Sequence, residues 1–473
     1  DTPFETPPFD KIKHEHYVPA FTQAIDLAKA DIDAIVNDNS APDFANTIGA
    51  FEHSGYLLSR VASVFFNLNS AETDDKMEKI AEEVTPLMTD YQNDIYLNEK
   101  LFARIKTVYD KKESLGLTGE QLRLLDKVYT AFVRSGANLS EEGKEKFRQI
   151  SKDLSLISLK FGQNVLAETN AYTLHIKDEK DLSGLPKGII DAAAHEAQAK
   201  GMDGWIFTLQ FPSYSPFMKY ADNRKLREEI YRANGSKACK GNEYDNRENV
   251  RQLTNLRLEM AKLLGSLTYA DYALKTKMAE NPENVNKLLN ELLVASKPFA
   301  EKEIQDVQEY AKSQGANFEL MPWDFSYYSE KLKVEKYDLD EEATRPFFQL
   351  DKVIDGVFKL SNRLFELNFT ENKEIPVYHE DVKVYEVTDK SGKLISILYL
   401  DFFPRDGKRG GAWMTEYRGQ WKEGKTEYRP FVSLVCNFTK PTADKPSLLT
   451  FYEMETFLHE FGHGLHGMLS DVT

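Results

Sequence analysis

Five consecutive residues, His459-Glu460-Phe461-Gly462-His463, carry the clearest chemical signal in this 473-residue chain. On a helix turning about 100° per residue, histidines four apart project from nearly the same face one turn along, so two imidazoles can grip one divalent cation. Glu460 then points to the side, where its carboxylate can take a proton from a metal-bound water without displacing a ligand, the general-base role in hydrolysis. The chain holds nine histidines, and random placement would produce such a pattern in roughly one chain per hundred. A catalytic zinc keeps three protein ligands and one open position, and here only His459 and His463 are visible. His466 lies about 60° of helical rotation past His463. A third histidine ligand in the known extended pattern would stand where Leu469 is, so His466 is read as a packing or supporting residue. His14 and His16 have the wrong spacing for a helical clamp. Ten residues follow His463, too few for a turn and a second helix that could return a carboxylate to the metal.

The element that must hold this motif is itself legible. Thr450 and Glu453 have the spacing of a capping box, which predicts a helix from there to about Met468. Gly462 and Gly464 weaken that helix by roughly 1 kcal/mol each relative to alanine, while letting a neighbour pack closely. Upstream, Val382, Val384 and Val387 flank a possible turn at Asp389-Lys390-Ser391-Gly392. Leu394 to Phe403 and Phe431 to Val435 then read as strands, predicting a small antiparallel sheet just before the metal helix. The first two-thirds of the chain read as helix after helix. Ile25, Ala28, Ile32 and Val36 recur at helical spacing until Asn37-Asp38-Asn39-Ser40. Thr118 and Gln121 form a second capping box ahead of Leu122, Leu125, Val128 and Phe132. Phe147, Ile150, Leu154, Ile157 and Phe161 make a third stripe, read as core.

Composition narrows the function classes. A formal charge of −16 and a pI near 5.2 disfavour nucleic acid and anionic membrane surfaces as partners. No run of about eighteen apolar residues is present, so no helix is expected to span a bilayer. Cys239 and Cys436 are unpatterned and suggest neither a disulfide framework nor a cysteine metal site; both are expected to be buried small residues.

The stretch His459 to His466 resembles the signature of the thimet oligopeptidase and neurolysin family of zinc peptidases, most closely its bacterial peptidyl-dipeptidase branch. Asp43-Phe44-Ala45-Asn46-Thr47-Ile48, Pro322-Trp323-Asp324-Phe325, Ile375-Pro376-Val377-Tyr378-His379, Gly410-Gly411-Ala412-Trp413-Met414 and Val435-Cys436-Asn437-Phe438 resemble blocks of that family in the same order. The resemblance implies a mainly α, elongated, two-lobed fold with a deep channel for short unstructured peptides. It also implies Zn2+ held by His459 and His463, with Glu460 activating water. The third ligand it implies is a glutamate roughly twenty-five residues beyond the second histidine, absent from this chain. On this reading the chain is the N-terminal two-thirds of such an enzyme, inactive alone, with the missing C-terminal part as a partner. Residues 1–145, completed by 240–345, are expected to form one helical lobe, and 146–239 with 346–473 the second.

Small residues on a strand beside the metal would leave backbone groups open to an extended peptide. Gly411 and Ala412 are therefore candidate substrate contacts, a tight bend needing glycine being the equal alternative. The expectation is a zinc metallopeptidase, soluble in cytoplasm or periplasm, that releases dipeptides from the C-terminus of short oligopeptides. An endo-oligopeptidase of the same family is the near rival, and a catalytically dead helical peptide-binding module the distant one.

Overall fold

Helical periodicity in the sequence becomes helix in the computed structural model, which describes residues 2–442 and 445–473. Helix α1 (His14–Val36) buries Phe21, Ile25, Ala28, Ile32 and Ile35 along one stripe and stops at Asn37. His14 and His16 serve structure there: His14 Nε2 lies 3.2 Å from Asp74, and His16 Nδ1 accepts the Lys13 amide at 3.2 Å. Helices α2 (Tyr56–Ala71) and α3 (Asp75–Tyr96) pack against α1. Helix α4 (Gly119–Arg134) starts at the expected reciprocal cap, with Thr118 and Gln121 exchanging hydrogen bonds of 3.3 and 3.0 Å.

Helix α5 (Glu141–Ala171) departs from its expected stripe. Phe147 and Ile150 are buried, but Leu154 and Ile157 are half-buried and Phe161 is 37% exposed. The second half of this helix lines open clefts instead of core. Helices α6 (Phe211–Tyr220) and α7 (Arg224–Gly235) follow, and then the long α8 (Pro282–Ser313). Cys239 is exposed, against expectation, whereas Cys436 is buried.

Beyond helix α9 (Leu350–Phe365) the chain turns to sheet: β1 (Asn368–Glu371), β2 (Lys383–Thr388), β3 (Leu394–Asp401), β4 (Trp413–Arg418) and β5 (Phe431–Val435). The spatial order is β1-β2-β3-β5-β4. Strands β2 and β3 form the expected hairpin, in which the Asp389 carboxylate accepts the Ser391 and Lys393 amides at 2.8 and 3.0 Å. The sheet is mixed and not antiparallel throughout, because β5 runs parallel to β3, pairing Ile397 with Phe431 and Asp401 with Val435. The excursion through β4 brings the chain back to the same end of the sheet before β5 begins.

Strand β3 reads as a continuous apolar run because both of its faces are covered. Ile397 and Tyr399 join Phe21, Phe65 and Val84 from the N-terminal helices in one core. Leu398 and Leu400 join Ile354, Val357, Phe457 and Phe461 in another. The sheet is thus a middle layer, with residues 9–84 on one side and the chain's last helix, α10 (Phe451–Met468), on the other. The N-terminal helices and the sheet share one core across the expected lobe division. Among the described residues, no helix is long and apolar enough to cross a membrane.

Candidate active site

The capping box expected at Thr450 fixes the start of α10. The Thr450 hydroxyl accepts the Glu453 amide at 3.0 Å, and the Glu453 carboxylate accepts the Thr450 amide at 2.8 Å. Glu453 also accepts the Thr439 amide at 2.7 Å, tying the helix to the segment that leaves β5. Phe457, Phe461, Gly464 and Met468, at steps of three and four, form the stripe buried against the sheet. A methyl group on Gly464 would stand 3.1 Å from Leu434 of β5, so this glycine permits close docking of helix on sheet, whereas Gly462 faces open space. The packing partner of Gly464 is therefore the sheet itself.

With that stripe facing inward, His459 and His463 must face outward, and both are exposed. Their Nε2 atoms approach to 3.2 Å, with the rings 79° apart. Two nitrogens about 2.05 Å from a tetrahedrally coordinated zinc are separated by about 3.3 Å, so the imidazoles already stand where one cation would join them. Glu460 lies about 100° around the helix from His459. It is only 7% exposed, lines a cleft of about 760 Å³ with His463 and His466, and accepts no hydrogen bond among the described residues. Its carboxylate is thus oriented toward the cleft and uncommitted. Among the described residues, no third histidine, cysteine or carboxylate joins the pair. His466 faces Glu416 in the same cleft; burial raises the Glu416 carboxyl, and the nearby His466 opposes that shift.

The strand beside the helix, β4, is an edge strand bonded only to β5 within the sheet. Alternation along it separates the two sides. Gly411 O faces inward, accepting from Asn437 Nδ2 at 2.7 Å, and Glu416 O faces outward, accepting from Asn67 Nδ2 at 3.2 Å. Ala412 and Met414 share the outward phase of Glu416. The backbone of Ala412 takes part in no hydrogen bond among the described residues. Gly411 has φ of +97°, so the bend itself calls for glycine there, while Ala412 lines the cleft.

The loop that carries these residues is anchored by a buried charge cluster. Asp401, at the end of β3, receives Arg405 Nη1 and Nη2 at 2.9 and 2.7 Å, Lys408 Nζ at 2.7 Å and the Tyr378 hydroxyl at 2.7 Å. Burial works against ionising Asp401, but Arg405 and Lys408 together hold its carboxyl below the usual range. Burial also draws the Lys408 ammonium down to about 8, against the pull of Asp401. Backbone bonds from Thr73 to Gly407 and from Arg409 to Ser70, 2.7 and 3.0 Å long, clamp the loop to the end of α2. Sequence reasoning missed Asp401, Arg405 and Lys408, because charged residues after a strand read as a solvated loop, and it named Asn437 only within a block of family resemblance. The one available signal was a charged run set between an apolar strand and a glycine pair.

The family profile described as peptidase family M3 matches residues 217–473. The dipeptidyl carboxypeptidase of Escherichia coli (strain K12) is 37% identical over 470 residues, covering 99% of this chain and 69% of the relative. Oligopeptidase A of the same organism is 35% identical over 476 residues, covering 100% of this chain and 70% of the relative. A crystal structure described as an oligoendopeptidase F superposes with a TM-score of 0.51 at 15% identity, over 96% of this chain and 63% of that one, a likeness of fold. A profile over more than half of the sequence and relatives at this identity have one reading: the chain belongs to peptidase family M3.

Proposed function

We propose that this chain provides the helix, base and substrate strand of a zinc-dependent peptidase acting on short oligopeptides and releasing dipeptides from their C-termini. The observation that carries the proposal is the convergence of His459 and His463 Nε2 to 3.2 Å on the open side of a helix whose Glu460 carboxylate lines the adjoining cleft. In this reading His459 and His463 hold zinc, and a third donor, a glutamate by family resemblance, comes from outside the described residues. When bound, the ion supplies Lewis-acid chemistry, polarising the scissile carbonyl and acidifying water.

The chain's own residues supply the rest. Glu460 accepts the proton of the attacking water and delivers it to the leaving amine, since its carboxylate is committed to no other partner. The outward backbone groups of Ala412 and Met414 pair with an extended peptide as an added strand, and Gly411 makes the bend that admits it. Unpaired backbone at the Ala412 end of an edge strand suits an unstructured peptide and not a folded protein.

The test is a pair of substitutions in the full-length protein. Glu460→Gln is expected to lower kcat by about 10²–10⁴-fold with zinc content unchanged, whereas His463→Ala is expected to lose the zinc itself. Undiminished turnover by Glu460→Gln, or full zinc content in His463→Ala, would overturn the assignment and favour a binding module in which the histidines are incidental.

A further inference from the structure

Two clefts meet at the Gly411-Ala412 peptide. One holds Glu460 and His463; the other, about 650 Å³, runs from Gly410 and Gly411 past α5 and α6 to Tyr231. The second is unlike the rest of the molecule in charge. The chain carries 76 acidic against 60 basic side chains, yet Lys219, Lys237, Lys408 and Arg409 line this cleft and no carboxylate does. Two of those cations are already committed. Lys219 Nζ lies 2.7 Å from Glu341, and Lys408 Nζ lies 2.7 Å from Asp401. Lys237 and Arg409 have no ion-pair partner among the described residues. Burial lowers the affinity of Lys237 for its proton, the cost of a cation facing a partly dry cleft without a counter-charge.

The position of these cations along the strand gives them a role. A peptide added antiparallel to β4 runs against it, so residues that precede Ala412 meet the C-terminal half of the substrate. Antiparallel addition is the commoner pairing and is how β5 already bonds β4 on its other side. If the scissile bond lies at Ala412, beside Glu460, the two residues that follow it extend about 7 Å toward Gly410 and Arg409. A free carboxylate at that point would end in the cleft lined by Arg409 and Lys237, Arg409 also bordering the adjoining cleft that holds Glu78. We propose that Arg409 and Lys237 bind the free C-terminal carboxylate of the substrate and so set cleavage two residues from the end. They are specificity-determining residues in this account, and the account rests on the peptidase reading above.

The experiment uses the full-length protein and one peptide in two forms, with a free C-terminal carboxylate and with a C-terminal amide. The parent is expected to prefer the free acid through KM and to release a dipeptide from it. In Arg409→Gln and Lys237→Gln, KM for the free acid is expected to rise roughly tenfold or more, as for loss of a charge-assisted hydrogen bond. Turnover of the amide and the zinc content are expected to stay as in the parent, and Arg409→Lys to recover part of the loss. Equal effects on both peptides, or none on the free acid, overturn the carboxylate assignment alone. If the parent cleaves neither peptide, or Glu460→Gln cleaves both at the parental rate, the peptidase reading falls and this assignment with it.

Discussion

Lys408→Met tests whether the buried charge cluster is what holds the Gly410-Gly411-Ala412 segment in place. The Lys408 side chain has 0% exposure; its Nζ lies 2.7 Å from Asp401 and donates to the Asp401 and Phe403 carbonyls at 3.2 and 2.8 Å. Methionine preserves most of the length and the apolar stem, so the substitution removes the charge and three hydrogen bonds with little change in volume. Breaking a buried ion pair costs about 3–5 kcal/mol. Asp401 keeps both Arg405 bonds and the Tyr378 hydroxyl, so the lower end, about 3 kcal/mol, is expected. Asp401→Asn removes the counter-charge that holds the Lys408 proton against burial, so this amine should titrate lower still, and the broken pair should cost about 3–5 kcal/mol. Arg405 is less exposed to that loss, because Glu72 lies 2.6 Å from it. In the double variant no unpaired Lys408 remains, and a coupling of about 1–3 kcal/mol should bring the total well below the sum of the singles. Urea unfolding followed by circular dichroism measures all three. A Lys408→Met protein within about 1 kcal/mol of the parent, or strict additivity in the double variant, would refute the reasoning.

Acid stability should depend on the same carboxylate. The folded state holds Asp401 below its unfolded value, so its contribution is complete above about pH 4 and is lost as pH falls through the folded value; Asp401→Asn should flatten that part of an unfolding-versus-pH curve. The two glycines of α10 should respond differently to alanine. Gly462→Ala meets nothing within 4 Å and should stabilise by about 0.5–1 kcal/mol, while Gly464→Ala must displace the buried Leu434 at 3.1 Å and should be the less stable of the two by thermal unfolding. Asn437→Ala removes bonds of 2.9 and 2.7 Å to the Arg409 and Gly411 carbonyls. It should leave zinc content unchanged and raise KM for peptides several-fold, an outcome that unchanged KM would contradict.

What could be read from the sequence, and what could not, divides along a physical line. The motif helix was legible from Thr450 to Met468 because its determinants are local: a cap, a reciprocal glutamate and apolar steps of three and four. The facing of His459 and His463 followed from the same periodicity, since the stripe through Phe457, Phe461 and Met468 leaves only the opposite side for them. Strand direction was not legible. Phe431 to Val435 has the composition of a buried strand whichever way it pairs, and only the β4 excursion makes it parallel to β3.

Apolar stripes were legible as helix but not as core. Periodicity reports which residues share a face, and says nothing of what lies opposite that face. In α5 the stripe through Phe147 and Ile150 is buried, and the same stripe continued to Phe161 borders a cleft. In α8, Val307 and Ala311 are buried near one end, whereas Leu288, Leu292 and Phe299 along the rest are 57%, 56% and 72% exposed. The charge cluster failed for the complementary reason. Asp401, Arg405 and Lys408 are spaced like surface residues, and their burial is decided by α2, Tyr378 and the end of β3, far apart in sequence. Such a cluster costs desolvation that hydrophobic packing would not, so its return has to be sought in position and not in stability. Here it fixes a loop whose Arg409 and Gly411 carbonyls are turned inward by Asn437, and in the proposed reading that leaves the backbone of Ala412 for a peptide and the Arg409 guanidinium for its end.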